Sequence, residues 1–279
     1  MSTDKKVSVI IPNYNYAQYV GQAIESVLKQ TYSNIELIVV NNGSTDNSLE
    51  ILTAYRNKIF LINQKNLGQS GARKSGLLQA KGEFIAFLDA DDIWEPQKIE
   101  KQMALFSSST ELVYSGVNLF SERDQRIVST YTPIFRGSCS SAFIEFPGVS
   151  IVVSGESTAI FTRSLLERVG GFDPELNSAA GWDFFRRCSK FTNFDFVPEP
   201  LTKYRLHSSN MSNSSTYTID DIRHAYRKLF GDELWQISRR VKRRTIMSVE
   251  YTFLKTYLKQ RNCIGALGSV IRMFSFRGY

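Results

Sequence analysis

The chain has 279 residues, of which 42% are hydrophobic and 22% charged, an ordinary balance for a globular protein with a sizeable core. No apolar run reaches the roughly 18 residues of a membrane-spanning helix. Three scattered cysteines without a CxxC pair argue against a disulfide framework or a zinc site and for a reducing compartment. The net charge of +7 is uneven, because residues 220–279 hold 13 Lys and Arg against 5 Asp and Glu.

The first hundred residues alternate short strands with helices. The apolar run near the N-terminus is too short for a signal peptide, so we expect the fold to begin there. Apolar runs predict strands at 7–11, 35–40, 59–62 and 84–88, and helical spacing predicts helices between them, the second capped by Asp46. This alternation indicates a parallel sheet covered on both faces, which binds its ligand outside the carboxyl ends of the strands. The ligand is therefore expected at loops 12–16, 41–46 and 89–92.

The pattern is less regular after residue 96. We predict a helix to about residue 106, a strand at 112–119, loops and a hairpin over 120–150, and a further strand at 149–153. A helix at 164–169, a helix from Trp182 and a strand at 201–204 follow. The polar stretch 208–218 is typical of a linker, and the rest is helical. The predicted domains are 1–210, with halves 1–106 and 107–210, and a basic helical extension at 211–279.

Three carboxylates, Asp89, Asp91 and Asp92, directly follow a strand that is apolar on both faces. Carboxylates this close repel and raise one another's pKa values unless a cation neutralises them. Mg²⁺ and Mn²⁺ suit such oxygen ligands and typically use one or two carboxylates plus phosphate oxygens. The alternative is an acidic turn that caps the next helix. The position at a carboxyl strand end favours the metal site, and the two interpretations can share residues.

Three stretches, VSVIIPNYN, IELIVVNNGSTDNS and NLGQSGARKSGLLQAKGEFIAFLDADDIW, resemble in order and spacing the N-terminal half of a family 2 glycosyltransferase of the GT-A fold. The similarity continues more weakly through ESTAIFTRSLLERVGGFDPEL, WDFFRRCSK and YRLHSSNMS, so it covers about residues 1–210. It implies an α/β fold with a doubly wound, mostly parallel sheet and helices on both faces. It also implies inverting, metal-dependent transfer of a sugar from a nucleotide-sugar to an acceptor hydroxyl, in bacterial surface-polysaccharide synthesis.

The resemblance places the nucleobase of the donor on two loops. Pro12, Asn13 and Tyr14 would lie against the base, with Tyr14 as a stacking face unless it is only an exposed turn residue. Asn42 would hydrogen-bond the base. The family has acidic residues where this chain has Asn41 and Asn42, and an amide donates as well as accepts. A UDP-sugar is the favoured donor.

The resemblance places the diphosphate and the metal on further residues. Arg73 would hold the donor near its diphosphate, where the alternative is a solvated helix charge. Asp91 would ligate Mg²⁺ or Mn²⁺, and Asp89 would act at the ribose or on the metal through water. His207 would be a third ligand, although a lone histidine is more often a surface residue. The metal would stabilise charge on the leaving nucleoside diphosphate.

The general base is where the chain departs from the family. The family has an E-D-W-D-like segment, whereas this chain reads AAGWD, with Ala180 and Gly181 in place of the acidic pair. Only Asp183 remains, and we interpret it as the base. The alternative is a helix N-terminal acid that favours the helix dipole. In that case another group serves as base, or the enzyme is slow or inactive.

The acceptor pocket and the C-terminal tail complete the predictions. By resemblance the acceptor, a glycan or a lipid-linked sugar, would be bordered by Glu156, Ser157, Thr158, residues 171–173 and Trp182. Trp182 is otherwise a core anchor. The basic RRVKRR segment and the apolar faces after it suit an anionic membrane surface, so we expect a cytoplasmic protein that is peripheral on the inner face. A helical cap with a solvated basic face is the alternative.

Three rival functions fit parts of these patterns. A nucleic-acid surface fits the charge of the tail, but we expect no nucleic-acid partner. Nucleotidyl transfer lacks its usual Gly-rich loop after the first strand. A non-catalytic relative that binds a nucleotide-sugar or a glycan stays open because of the two asparagines and the missing acidic pair.

Overall fold

The computed structural model describes residues 5–145, 151–152, 155–208, 210 and 215–275. Its strands are β1 Val7–Asn13, β2 Ile35–Asn42, β3 Phe60–Gln64, β4 Phe84–Phe87, β5 Ile93–Trp94, β6 Thr110–Ser121, β7 Ile127–Tyr131, β8 Ala159–Thr162 and β9 Asn193–Leu206. Its helices are α1 Ala17–Leu28, α2 Ser48–Ala54, α3 Gly68–Gln79, α4 Lys98–Met103, α5 Ala142–Glu145, α6 Arg163–Val169, α7 Ala180–Cys188, α8 Ser215–Gly231, α9 Arg239–Lys259 and α10 Cys263–Ser275, with a 3-10 turn at Gly155–Thr158.

A single sheet with the strand order β3-β2-β1-β4-β8-β6-β9-β5 organises the described residues, and β7 pairs with β6. The first four strands pair in parallel, as the βα alternation predicts. β8 is antiparallel to both β4 and β6, whereas β6 and β9 are parallel. The parallel, doubly wound arrangement therefore belongs to the N-terminal half, and the C-terminal half of the sheet is mixed.

Both faces of the sheet are buried, which explains the nearly continuous apolar runs of its strands. Because successive side chains of a strand point to opposite faces, Ile10 and Ile11 belong to different hydrophobic clusters. Ile11 packs in the cluster that includes Val20 of α1 and Leu52 of α2. Ile10 packs in the cluster that includes Ala72 of α3. The helices thus cover the sheet from both sides.

The C-terminal helices contribute to the same cluster as the sheet. Tyr226 of α8 and Phe253 of α9 are buried in the cluster that holds Ile10. Arg223 of α8 donates two hydrogen bonds of 2.8 Å to the carboxylate of Glu250 on α9. The residues beyond 210 therefore pack on the main body, and the domain boundary at 210 stays a prediction.

Most predicted elements of the first hundred residues are present, with ends that differ by a few residues. Asn47 rather than Asp46 precedes α2, but the Asp46 carboxylate accepts the backbone N–H of Ser48 at 3.0 Å. The short predicted strand at 201–204 is the end of the longer β9, and α7 begins two residues before Trp182. Ala180 and Gly181 carry no start signal for a helix, and Pro198 and Pro200 interrupt the apolar pattern of β9.

Two other predictions fall partly outside the described residues. Of the expected strand at 149–153, residues 149, 150 and 153 lie outside them, and Ile151 and Val152 are not in a strand. Of the expected linker at 208–218, residues 209 and 211–214 lie outside them, and α8 begins at Ser215. None of the described helices is long and apolar enough to cross a membrane.

Candidate active site

A cavity of about 830 Å³ opens at the carboxyl ends of β1, β2 and β4, in the position expected for a sheet of this kind. Its volume is in the range of small-molecule sites. The strand-end loops form one side, and the 3-10 turn, α7 and α8 form the other. The predicted site residues that line it are Pro12, Asn13, Tyr14, Asn42, Arg73, Asp89, Asp91, Glu156 and Trp182.

The acidic loop after β4 is held from beneath. The backbone N–H of Asp89 donates to the Ser157 hydroxyl at 3.1 Å, and the indole N–H of Trp94 donates to the Ser157 carbonyl at 2.7 Å. Ser157 is fully buried and does not line the cavity. Its predicted contact with the acceptor is therefore wrong in this structure, where Ser157 positions the acidic loop.

The carboxylates of this loop are only partly neutralised by the described residues. Burial and the charge of Asp89 raise the pKa of Asp91, although the hydrogen bond with His207 opposes the shift. Burial and its acidic neighbours raise the pKa of Asp92 well above its usual value, and Asp92 Oδ2 has no hydrogen-bond partner in the described part of the chain. Of these groups, Asp89 and Asp91 line the cavity, and a cation bound between them would relieve the repulsion of their like charges.

The donor set suits a divalent ion. Asp89 and Asp91 line the cavity, and His207 Nε2 lies 3.0 Å from Asp91 Oδ2. No group of three or more His, Cys, Asp or Glu among the described residues forms a ready metal cage. Mg²⁺ and Mn²⁺ do not need one, since they often bind through one or two carboxylates and complete their shell with phosphate oxygens and water.

The first strand-end loop offers an open aromatic face and an unused acceptor. The side chain of Tyr14 is 43% exposed at the cavity. Asn15 has a left-handed backbone with φ of 58°, and its Oδ1 accepts the backbone N–H of Thr45 at 2.7 Å. Asn13 donates from Nδ2 to Ser44 Oγ at 3.2 Å, while its buried Oδ1 has no partner among the described residues. This loop can therefore stack on a planar group and accept one hydrogen bond.

Asn42 is fully engaged by the loop before α3. Its Nδ2 donates to Asn66 Oδ1 and to the Gly68 carbonyl, both at 3.1 Å. Its Oδ1 accepts from Gln64 Nε2 at 2.8 Å and from the backbone N–H of Leu67 at 3.0 Å. An amide has two donors and about two acceptor positions, so all of them are occupied here. The predicted hydrogen bond from Asn42 to a nucleobase would require this loop to rearrange.

Arg73 joins two carboxylates at the floor of the cavity. Its NH1 lies 2.6 Å from Glu156 Oε1, and its NH2 lies 3.5 Å from Asp89 Oδ1. The guanidinium is buried over the rings of Phe87 and Phe172, at 5.8 and 5.2 Å from their centroids. Arg73 is thus a buried member of the site, not a solvated helix charge.

Glu156 is the acidic residue on the far side of Arg73. It is 8% exposed and lines the cavity. Burial raises the pKa of Glu156, the Arg73 guanidinium opposes the shift, and the charge of Asp89 adds to it. The site therefore holds a carboxylate with raised basicity opposite the acidic loop.

Asp183 does not have the surroundings of a general base. Its side chain is 1% exposed, and it does not line the cavity. Arg186 NH2 lies 2.8 Å from Oδ1, and Arg187 Nε lies 2.8 Å from Oδ2. Both oxygens are held by guanidinium groups, and the buried carboxylate has no open path to an acceptor in the cavity. We therefore correct the interpretation of Asp183 from base to buried structural anion.

Comparison with known proteins identifies the family. The sequence profile described as "Glycosyl transferase family 2" matches residues 8–170. The chain belongs to glycosyltransferase family 2. An uncharacterized glycosyltransferase of Nostoc sp. (strain PCC 7120) is 36% identical over 213 residues, which are 74% of this chain and 66% of the relative. The chain thus spans about two thirds of that relative.

Solved structures confirm the GT-A-type fold of this family 2 member. S. aureus TarS 1-349 in complex with UDP-GlcNAc superposes with a TM-score of 0.65 at 17% identity, covering 98% of this chain and 91% of TarS. The mannosyltransferase PcManGT from Pyrobaculum calidifontis, in complex with GDP-Man and Mn²⁺, superposes with a TM-score of 0.64 at 16% identity. That likeness covers 97% of this chain and 81% of PcManGT.

The cavity wall formed by α8 could not be predicted as part of the site from the sequence of this family 2 chain. Ile222, Ala225 and Tyr226 of α8 line the cavity, although α8 lies outside the recognised similarity. Trp182 packs on Tyr226, with ring centroids 4.8 Å apart, and also lines the cavity. The apolar spacing of α8 could have indicated a buried face, but nothing in it shows that this face borders a ligand site.

The beginning of α7 is also fixed from α8. The carboxylate of Asp221 accepts the backbone N–H groups of Asn177 and Ala179, at 3.1 and 2.6 Å, and the hydroxyl of Ser178 at 3.0 Å. These residues form the cavity wall just before Gly181. Asp221 therefore fixes the segment that leads into α7, from an element distant in sequence.

Proposed function

We propose that this protein is an inverting, metal-dependent glycosyltransferase that moves a sugar from a nucleotide-sugar to an acceptor hydroxyl in cell-surface polysaccharide synthesis. The observation that carries the proposal is the cluster Asp91–Asp89–Arg73–Glu156, which crosses the floor of one ligand-sized cavity at the carboxyl ends of the parallel strands. Fold relatives solved with UDP-GlcNAc, UDP and GDP-Man support a nucleotide-sugar donor.

The donor would extend from the first loop to the acidic loop. Tyr14 would stack on the nucleobase next to Pro12, and the buried Oδ1 of Asn13 would accept a hydrogen bond from the base or ribose. An unused acceptor matches the ring N–H of uracil, thymine or guanine, and among these the resemblance favours a UDP-sugar. Arg73 lies close enough to Asp89 to keep the diphosphate end of the cavity from becoming uniformly negative.

Asp91 and Asp89 would hold Mg²⁺ or Mn²⁺, with His207 as a third ligand or as the partner that orients Asp91. Bound there, the ion supplies positive charge for the departing diphosphate. The presence of Mn²⁺ in the PcManGT complex supports this choice. The acceptor would enter from the side of Trp182 and α8, where apolar and aromatic side chains suit the face of a sugar ring.

A panel of nucleotide-sugars tests the proposal. Thermal unfolding would be followed with UDP-, GDP- and dTDP-sugars, with and without Mn²⁺. One of them should stabilise the chain by about 2.7 kcal/mol at a hundred times its dissociation constant, and only with the metal. The same donor should release nucleoside diphosphate when an acceptor is added. Absence of stabilisation by every donor would count against the proposal.

A second function, a non-catalytic nucleotide-sugar binder, is favoured by one observation. The chain has Ala180 and Gly181 in the acidic segment, and the remaining Asp183 is held by two arginines. Tight donor binding without release of nucleoside diphosphate, tested with glycan and lipid-linked acceptors, would favour this alternative over the enzyme.

The C-terminal helices would bind an anionic membrane surface. On α10 the exposed residues Ile264, Leu267, Ile271 and Phe274 recur at intervals of three and four and so share one face. At the start of α9, Arg239, Arg240, Arg243 and Arg244 are exposed. An exposed apolar face on one helix and exposed arginines on the preceding helix match the chemistry of anionic lipid, with roughly 1 kcal/mol per near-surface cation.

Vesicle co-sedimentation tests this surface. The protein should sediment with vesicles that contain phosphatidylglycerol, and much less with phosphatidylcholine alone. Ile264→Asp with Phe274→Asp should reduce sedimentation, while a matched pair on the exposed surface of the sheet edge, Ile127→Asp with Val128→Asp, should not. Equal sedimentation with both lipids, or none, would contradict the proposal.

A further inference from the structure

Gly181 lies against the carboxylate of Glu156. A Cβ built on Gly181 would lie 2.9 Å from Glu156 Cδ, 2.9 Å from Oε1 and 3.0 Å from Oε2. The φ of Gly181 is not in the left-handed region, so the backbone there does not require glycine. Space disfavours a side chain there, because the Glu156 carboxyl group, which Arg73 holds at 2.6 Å, would have to move to admit it.

We propose that Glu156 is the general base of the transfer, supplied from the 3-10 turn before β8 in place of a side chain on α7. The inference rests on the proposed function and deepens it. One oxygen of Glu156 would take the proton as the O–H bond of the acceptor breaks. The acceptor oxygen would form its bond to the anomeric carbon, while the bond from that carbon to the diphosphate breaks and its electron pair leaves on the phosphate oxygen.

The geometry of Glu156 suits this role. Arg73 NH1 lies 2.6 Å from Oε1, which fixes the orientation of the carboxylate. The residue lines the cavity together with Trp182 and Gly181, on the side where the acceptor would enter. A general base must be within hydrogen-bond reach of the hydroxyl that it deprotonates, and Glu156 borders the space in which that hydroxyl would lie.

Other carboxylates near the site are occupied. Both oxygens of Asp183 bind arginines. Asp221 accepts hydrogen bonds from the segment before α7 and does not line the cavity. Among the described residues, the carboxylates that line the cavity are Asp89, Asp91 and Glu156. Since Asp89 and Asp91 lie in the loop proposed for the metal, Glu156 is left for the acceptor.

The first test separates a base from a residue that only positions Arg73. Glu156→Gln keeps a polar partner for Arg73 but cannot take a proton. Sugar transfer should fall by about 10²- to 10⁴-fold, whereas donor affinity, measured by calorimetry with Mn²⁺, should change less than about threefold. Glu167→Gln, an exposed residue of α6, is the matched control. Transfer within a few-fold of the wild type, or equal losses of donor affinity and transfer, would overturn the inference.

The second test moves the base back to α7. Glu156→Ala should lose transfer. The double variant Glu156→Ala with Gly181→Asp should transfer sugar at least about ten times faster than Glu156→Ala alone, because removing the Glu156 carboxylate makes room for a carboxylate at position 181. Gly181→Ala should impair transfer in the wild-type background and have no further effect beside Glu156→Ala. Thermal melting of each variant distinguishes these losses from unfolding. Failure of the double variant to exceed Glu156→Ala, with both folded, would count against Glu156.

Different results would overturn the proposed function and the proposed role of Glu156 as base. A wild-type chain that binds donor but releases no nucleoside diphosphate overturns the proposed function, and the base with it. An active wild type with an equally active Glu156→Gln variant overturns the base alone.

Discussion

The two sides of the cavity are built in different ways. The side proposed for the donor, called the donor side below, comes from the ends of three neighbouring parallel strands. Its residues are close in space because the topology places all three loops at one edge. The side proposed for the acceptor, called the acceptor side below, joins the 3-10 turn, α7 and α8, which are distant in sequence. The comparison shows that strand-end motifs place residues at a cavity, whereas the opposite wall is assembled by packing between distant elements. The proposed base Glu156 would belong to that second wall.

The largest expected effect is on the donor side. Asp91→Asn removes a carboxylate charge from the proposed metal site and should reduce transfer by on the order of 10³-fold. The variant should also lose the Mn²⁺-dependent stabilisation by donor in thermal unfolding. Asp124→Asn, at an exposed surface ion pair with Arg126, is the control. If the Asp91→Asn variant still needs Mn²⁺ for tight donor binding, the metal does not bind at this loop.

The next largest effect is on the free energy of unfolding, through the buried ion pairs of α7. Asp183→Asn leaves two arginines without their buried anion and should lower the free energy of unfolding by about 3–5 kcal/mol. Transfer per folded molecule, assayed well below the melting temperature, should be nearly unchanged. Asp220→Asn, which breaks a pair of Arg223 with an exposed carboxylate, should cost no more than about 1 kcal/mol. Loss of transfer without loss of stability would restore Asp183 as base.

A smaller effect distinguishes direct from indirect donor contacts. Asn42→Asp replaces the two N–H donors that hold Asn66 and the Gly68 carbonyl with a carboxylate oxygen. The loop should be destabilised by about 1–3 kcal/mol, seen as a lower melting temperature and a higher KM for the donor. If the melting temperature is unchanged and only the donor preference shifts, Asn42 contacts the nucleobase directly.

The smallest effects divide the two sides of the cavity. Tyr14→Ala removes an exposed stacking face and should raise the donor KM by about tenfold, or 1.4 kcal/mol, without changing the acceptor KM. Ile222→Ala on α8 should raise the acceptor KM by a few-fold without changing the donor KM. Steady-state kinetics with each substrate varied in turn checks both. Parallel changes in both KM values would show that the two sides are not separate.

The sequence predicted well which strand-end residues meet at the cavity, because the signals for them are local. Short apolar runs and the polar residues after them place Asp89, Asp91 and Tyr14 at the cavity without knowledge of the packing. Sequence reasoning failed where packing decides. Asp183 was the remaining acid of a motif, but helical spacing places it beside Arg186 and Arg187, which a periodicity check at i+3 and i+4 could have shown.

The remaining gap concerns contacts between elements distant in sequence. Nothing near Gly181 indicates that its missing side chain leaves space for Glu156, because the two residues meet only when the 3-10 turn packs on α7. The polar stretch before α8 suggested a separate extension, yet the hydrophobic residues of α8 are buried with the sheet. The residue pattern of one segment does not show which distant segments will pack against it.

The position of α8 has a consequence for engineering. Its side chains Ile222 and Tyr226 face the cavity, and Asp221 fixes the segment before α7. A recombinant fragment that stops at residue 210 would lose one wall of the pocket and the cap of an adjoining helix. In chimeras between relatives, we therefore expect the source of α8 to determine the acceptor preference. The source of the first hundred residues should determine the donor preference.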